Sequence, residues 1–253
     1  MIDLHSHILH GIDDGARTLA DSVEIARSAV AAGISTIAAT PHVRDDWPTD
    51  AGVMEYRVAE LRSELQLAGV ALDVRTGGEI SFDWLTRLST PDLRRFGLGG
   101  TRYLLVETPY YGWPLGLPDA MVSLRNEGIA PVLAHPERNG EVQADPERLG
   151  RLVEYGVLVQ VTAASVDGRM GRRAQECGLE LIQMGLAHLI ASDAHHASVR
   201  EVGMAAATDA VGGGELAQWL TLDVPSAILA DELPPPRPQG GTSGGWLGRL
   251  FGS

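Results

Sequence analysis

Short apolar runs alternate with longer amphipathic segments from the first residues of this chain almost to its end. MIDLH, ISTIAAT, VALDVRTGG, YLLVET, IAPVLAH, VLVQVTA and HLIASD are the apolar runs. Each has the length of a strand and is rich in the residues that strands favour. Between them lie DSVEIARSAVAAG and helix-like stretches at residues 55–68, 118–127, 145–155 and 171–184. Strands rich in Val, Ile and Leu that alternate with helices form parallel sheets covered by helices, joined by right-handed crossovers. The pattern therefore predicts an α/β fold of about seven strand–helix units, a barrel-like (β/α)7 arrangement. After a last helix-like stretch near 226–230 the alternation stops. LPPPRPQGGTSGG can neither bury apolar surface nor propagate a helix. The expected division is a folded domain over 1–233 and a Pro/Gly-rich tail over 234–253. The terminal WLGRLF is an apolar cluster with one arginine, readable as a frayed end or as a contact for a membrane surface or partner.

Composition narrows the partners. The chain has 253 residues, 44% hydrophobic and 21% charged, with a formal net charge of −13, ordinary globular usage for one domain of this size. That negative balance argues against a nucleic-acid backbone as the main partner, because phosphate backbones are bound by basic surfaces. No apolar stretch approaches the roughly 20 residues needed to span a bilayer. MIDLHSH lacks the basic start and apolar run of a signal peptide, and the lone Cys177 cannot form an internal disulfide. A cytoplasmic location is the expectation.

Candidate chemistry falls at the carboxyl ends of the predicted strands. His5 and His7 leave the first, His42 follows the second, Glu79 the third, Glu107 the fourth, His135 the fifth, and Asp193 with His195 the seventh. In parallel α/β barrels these ends converge on one face, where sites are built. His5 and His7, like Asp193 and His195, are two residues apart, so each pair points to the same side of an extended strand. Singly, each histidine reads as a hydrogen-bonded core or surface residue, and each glutamate as a cap or loop carboxylate. Their shared position points to a metal site. Imidazole and carboxylate without thiolate suit manganese, iron or zinc. His10 lies in a following loop, His188 precedes a strand, and His196 breaks the two-residue spacing; these three are left outside the set. Asp13 and Asp14 are equivalent candidates by spacing, and Asp-Gly is also a common turn.

These residues carry a family resemblance. MIDLHSHILHGIDDGA, IAATPHV, GGEI, LLVET, LAHPERN, ASDAHH and a late SAIL segment resemble the polymerase and histidinol phosphatase (PHP) superfamily. The similarity is closest to the bacterial manganese-dependent protein-tyrosine phosphatases of capsule and exopolysaccharide systems. The resemblance implies a distorted TIM-like barrel with a trinuclear site of divalent ions, manganese foremost. It assigns His5, His7, Asp14, His42, Glu79, Glu107, His135, Asp193 and His195 as ligands, and Arg138 in HPERN as the residue that holds the substrate phosphate. A planar guanidinium suits that task because it can hydrogen-bond two phosphate oxygens at once. The resemblance also implies a phosphotyrosine protein as substrate, a membrane tyrosine autokinase of polysaccharide export as partner, and homo-oligomers built through the outer helices. VTAAS departs from the family's polar sequence after the sixth strand, so Thr162 and Ser165 receive no role. TPYYGWP after Glu107 and VRDDWPTD after His42 contain aromatics that would either flank an aromatic substrate or pack in turns. The implied reaction is metal-assisted hydrolysis of a phosphate monoester, fastest with a phenolate leaving group. A histidinol-phosphatase activity, a phosphodiesterase and a noncatalytic phosphoprotein-binding scaffold are the alternatives. Cys177 is followed by GLELIQ, with no phosphate-cradling loop and arginine, so a thiolate nucleophile is not expected.

Overall fold

The computed structural model describes residues 1–197 and 203–239. The terminal WLGRLF lies outside the described residues. Nine parallel strands form two sheets. The first sheet has the order β1 (Ile2–Ser6), β2 (Thr36–Ala39), β4 (Asp73–Arg75). The second has the order β3 (His42–Val43), β5 (Glu79–Ser81), β6 (Tyr103–Glu107), β7 (Ala130–Ala134), β8 (Leu158–Thr162), β9 (Leu189–Ala191).

The two sheets are one circuit interrupted in two places. Thr40-Pro41 separates β2 from β3, and Thr76-Gly77-Gly78 separates β4 from β5. Each pair occupies one position of the sequence-predicted series, which gives seven positions in all. Proline lacks the N–H that a central strand must donate, so the second strand breaks at Pro41 and resumes at His42. The far ends meet through two hydrogen bonds, from Asp193 N–H to the His5 carbonyl and from His7 N–H to the Ala194 carbonyl, both 2.8 Å. A buried carboxylate reinforces this seam. Asp3 accepts from Ser192 N–H (3.0 Å), Ser192 Oγ (2.5 Å) and His5 N–H (3.2 Å).

The helices cover the outside. The long ones are α1 (Leu19–Ala31), α2 (Ala51–Leu67), α4 (Leu117–Asn126) and α8 (Arg172–Gln183). Their starts follow capping chemistry. Thr18 and Asp21 form a reciprocal capping box on α1, and Asp50 caps α2 through Gly52 N–H at 2.7 Å, four residues before the expected start. The predicted helix over 145–155 is split, because Pro146 opens a 3₁₀ turn (Pro146–Leu149) ahead of α6 (Gly150–Glu154). The remaining helices are short: α3 (Thr90–Arg95), α5 (Gly140–Ala144), α7 (Ala163–Val166), α9 (Met204–Ala210), α10 (Gly214–Gln218) and α11 (Val224–Leu229). Strands β1, β6, β7 and β8 are buried along their whole length, as parallel strands between helical layers must be. No helix among the described residues is long and apolar enough to cross a membrane.

Candidate metal centre

The nine residues assigned as ligands meet at the carboxyl end of the strands. They form four overlapping groups: His7, Asp14, His42 and His195; His5, His7 and Asp193; His5, Glu79 and His135; His42, Glu79 and Glu107. Within each group the donor atoms lie within 4.8 Å of one another. Glu79 joins two groups, with its Oε1 2.7 Å from His135 Nε2 and its Oε2 2.8 Å from His42 Nδ1. His5 and His7 project from β1 to the same interior side, and their Nε2 atoms are 3.3 Å apart. All of these side chains are buried except Asp14, whose Oδ1 lies 3.5 Å from His42 Nε2 and 3.3 Å from His195 Nε2.

Groups behind the ligands decide which nitrogen faces inward. Asp13 Oδ2 accepts from His7 Nδ1 (2.8 Å) and from His42 N–H (3.1 Å), while its Oδ1 accepts from Gly15 N–H (2.9 Å). Gln160 Oε1 accepts from His135 N–H (3.3 Å), which fixes its oxygen there, so His5 Nδ1 at 3.0 Å must also be a donor. The Asp193 carbonyl accepts from His195 Nδ1 at 3.0 Å. In all three rings Nδ1 carries a proton toward that acceptor, which leaves Nε2 facing the cluster. Burial lowers both His5 and His7, but Glu79 and Asp193 around His5 and Asp13 beside His7 outweigh it and raise both, so the Nε2 atoms 3.3 Å apart hold a proton unless a divalent ion takes its place.

Electrostatics carry the same signature. Burial raises Glu79 and Asp193, but the surrounding charges outweigh it and hold both carboxyls well below their ordinary range. For Glu79 these are His5 and His42, for Asp193 chiefly Arg138 and His5. Burial, and then the charge of Glu79, push Glu107 up to about 8. His135 Nδ1 is buried without a hydrogen-bond partner among the described residues, and Glu79 Oε2 and His42 Nδ1, though 2.8 Å apart, do not meet in hydrogen-bond geometry. Unpaired buried acceptors are costly and rare, and a divalent ion bound by nitrogen and oxygen donors would satisfy them. The residues present fit such ions.

The backbone is strained at the same place. His135 (φ 34°) and Asp193 (φ 53°) are two of three non-glycine residues with left-handed φ among the described residues. Such conformations cost about 1–3 kcal/mol each and collect at functional sites. Here they turn the chain at the ends of β7 and β9 so that both side chains enter the cluster. Gly15 is demanded by proximity, because a Cβ there would lie 2.1 Å from the His7 carbonyl oxygen.

HPERN acts as a unit. After His135, Glu137 Oε1 accepts from Thr162 N–H at 2.9 Å, tying the turn to the end of β8. Arg138 donates to Asp193 Oδ2 (2.6 Å) and Thr162 Oγ1 (2.8 Å). Asn139 caps α5 through Glu141 and Val142 N–H and donates to the Pro109 and Gly112 carbonyls, fastening the loop that follows β6. From that loop Tyr110 lies parallel to the His135 ring, 5.9 Å away at 10°. Thr162, left without a role on sequence, thus orients Arg138. Asp13 and Gln160 escaped assignment too, although Gln160 and Asp3 each interrupt an otherwise apolar run, which is a visible signal. His195 belongs to one of the four ligand groups, and His196 to none of them among the described residues.

A barrel-end cluster of five histidines and four carboxylates beside a buried arginine defines a hydrolase of the metal-assisted kind. Residues 1–230 match the family model for capsular polysaccharide synthesis, CpsB/CapC, and the chain belongs to that family. It is 36% identical over 201 residues to the tyrosine-protein phosphatase YwqE of Bacillus subtilis, covering 79% of each chain. It is 27% identical over 248 residues to the tyrosine-protein phosphatase CpsB of Streptococcus pneumoniae, covering 92% of this chain and 100% of that one. A crystal structure from work on YwqE and CpsB, described there as metal-dependent tyrosine phosphatases, superposes with a TM-score of 0.85 at 33% identity, over 95% of this chain and 100% of that one. The family resemblance read from the motifs is borne out.

Proposed function

We propose that this chain is a metal-dependent protein-tyrosine phosphatase that acts on a membrane tyrosine autokinase of polysaccharide export, from the cytoplasmic side. The observation that carries the site is the approach of the His5 and His7 Nε2 atoms to 3.3 Å inside the cluster, each ring held by an acceptor at its Nδ1. In this reading the nine clustered residues hold two or three divalent ions, manganese foremost. The substrate class rests on the family and on relatives that are named tyrosine-protein phosphatases over most of their length.

Bound ions would activate water for in-line attack and neutralise charge on the phosphoryl group. The chain supplies the rest. Arg138 is held above its ordinary range because Asp193 and Glu137 outweigh the effect of its burial, so it stays charged and donates to the phosphoryl oxygens where negative charge develops. Thr162 and Asp193 fix the guanidinium plane. Tyr110, stacked beyond His135, offers a face for the substrate ring. A phenolate, with an unperturbed pKa of about 10, leaves with less help from a general acid than an alkoxide does.

The test is hydrolysis of a phosphotyrosine peptide beside histidinol phosphate, with manganese added and then chelated. Manganese-dependent release favouring the peptide is the expected result. A preference for histidinol phosphate would move the substrate, and turnover undiminished by chelation would remove the metal mechanism.

A further inference from the structure

The segment DGRMGRR, which runs from the loop after α7 into the start of α8, places three arginines within five residues of a chain whose net charge is −13. Gly168 and Gly171 turn it with φ of 89° and 92°, and Arg169 is taken up by Asp167 at 2.7 Å. The other two look elsewhere. Arg172 and Arg173 line an open cavity of about 630 Å³ together with Met170, Tyr110, Arg138 and Gln143. Three of its lining residues are arginines and none is acidic, the reverse of the chain as a whole. The volume is that of a ligand site. Arg138 Nε is buried and has no hydrogen-bond partner among the described residues, on a side chain only 8% exposed. Arg172 is 84% exposed and meets Glu176 on one side, while Arg173 is exposed and forms no ion pair among the described residues.

We infer that this cavity is a subsite for acidic side chains flanking the phosphotyrosine of a peptide substrate. The inference rests on the phosphatase reading and extends it to sequence preference. A peptide whose phosphoryl group is gripped by Arg138 continues past Tyr110 into a cavity lined by guanidinium groups and by no carboxylate, with Glu176 meeting Arg172 from outside that lining. Carboxylates on the flanking residues pair there with Arg172 and Arg173.

The test compares a phosphotyrosine peptide flanked by glutamates with one flanked by alanines. Wild-type protein is set against the Arg172→Ala/Arg173→Ala double variant, whose changes lie on an exposed helix start. Two exposed pairs predict a roughly three- to tenfold lower KM for the acidic peptide at low salt, with kcat equal and the difference fading as salt is raised. In the variant the preference disappears while turnover of p-nitrophenyl phosphate is unchanged. Equal KM values in wild type, or a preference kept in the variant, would overturn the subsite. Fluorescence anisotropy with the same peptides reads the preference whether or not they are hydrolysed, which separates failure of the subsite from failure of the phosphatase reading.

Discussion

Replacing Asp13 by Asn tests whether the ligands are held from behind. The carboxylate accepts three hydrogen bonds, two at Oδ2 from His7 Nδ1 and His42 N–H and one at Oδ1 from Gly15 N–H. An amide of the same shape has one oxygen, so in either orientation its NH₂ faces a donor. With the oxygen toward His7, Gly15 N–H is orphaned in a turn too tight to admit a Cβ, a cost of about 1–3 kcal/mol. With the oxygen toward Gly15, His7 must take its proton on Nε2, and the lone pair that faces the cluster is lost. The first arrangement lowers the melting temperature, and the second lowers metal affinity, by roughly 10- to 100-fold from comparable changes behind metal-bound histidines, or about 1.4–2.8 kcal/mol. Competition with a manganese chelator measures the affinity, and a thermal melt with and without manganese reports the linked stability. Affinity within threefold of wild type, with an unchanged melt, would refute the claim that Asp13 sets the tautomer of His7.

Other consequences follow from the same geometry. Arg138→Ala removes the phosphate fork and strips Asp193 of its cation; kcat/KM for aryl phosphate should drop by about 10²–10³, and Arg138→Lys should recover little of it because lysine cannot reproduce the fork. His188 is held down at about 4 by burial and then by Arg237, and its Nδ1 accepts from Val159 N–H at 3.1 Å. The folded state therefore binds this proton less readily than the unfolded chain, and stability present above pH ~6.5 is lost as pH falls toward 4, by about 3 kcal/mol at most. Melting curves of metal-free wild type should show that slope, and His188→Asn, whose Oδ1 can still accept from Val159, should flatten it. Burial, followed by the charges of Glu137 and Glu180, pushes the Cys177 thiol up to about 12, so iodoacetamide should leave turnover unchanged, and inactivation by it would bring a thiolate back into the reaction.

Much of the site was legible because strand order in a parallel fold is also spatial order. His5 and His7, then His42, Glu79, Glu107, His135, and the Asp193 and His195 pair each follow a predicted strand, and these six ends must converge. The interruptions at Thr40-Pro41 and Thr76-Gly77-Gly78 were less visible, since a strand that breaks and resumes keeps its apolar pattern. The choice between Asp13 and Asp14 could not come from spacing. Folding separates them, sending the Asp13 carboxylate behind His7 and the Asp14 carboxylate toward His42 and His195. Short helices such as α5, α7 and α10, of four or five residues, fall below the length at which periodicity can be read. Thr162 was passed over because its role depends on Arg138, a partner 24 residues earlier in the chain.

The most direct test of the metal centre is anomalous diffraction from crystals grown with manganese. Two or three anomalous peaks are expected within the groups formed by His7, Asp14, His42 and His195, by His5, His7 and Asp193, and around Glu79. Manganese-loaded crystals without peaks at those residues, or with peaks elsewhere, would contradict that placement.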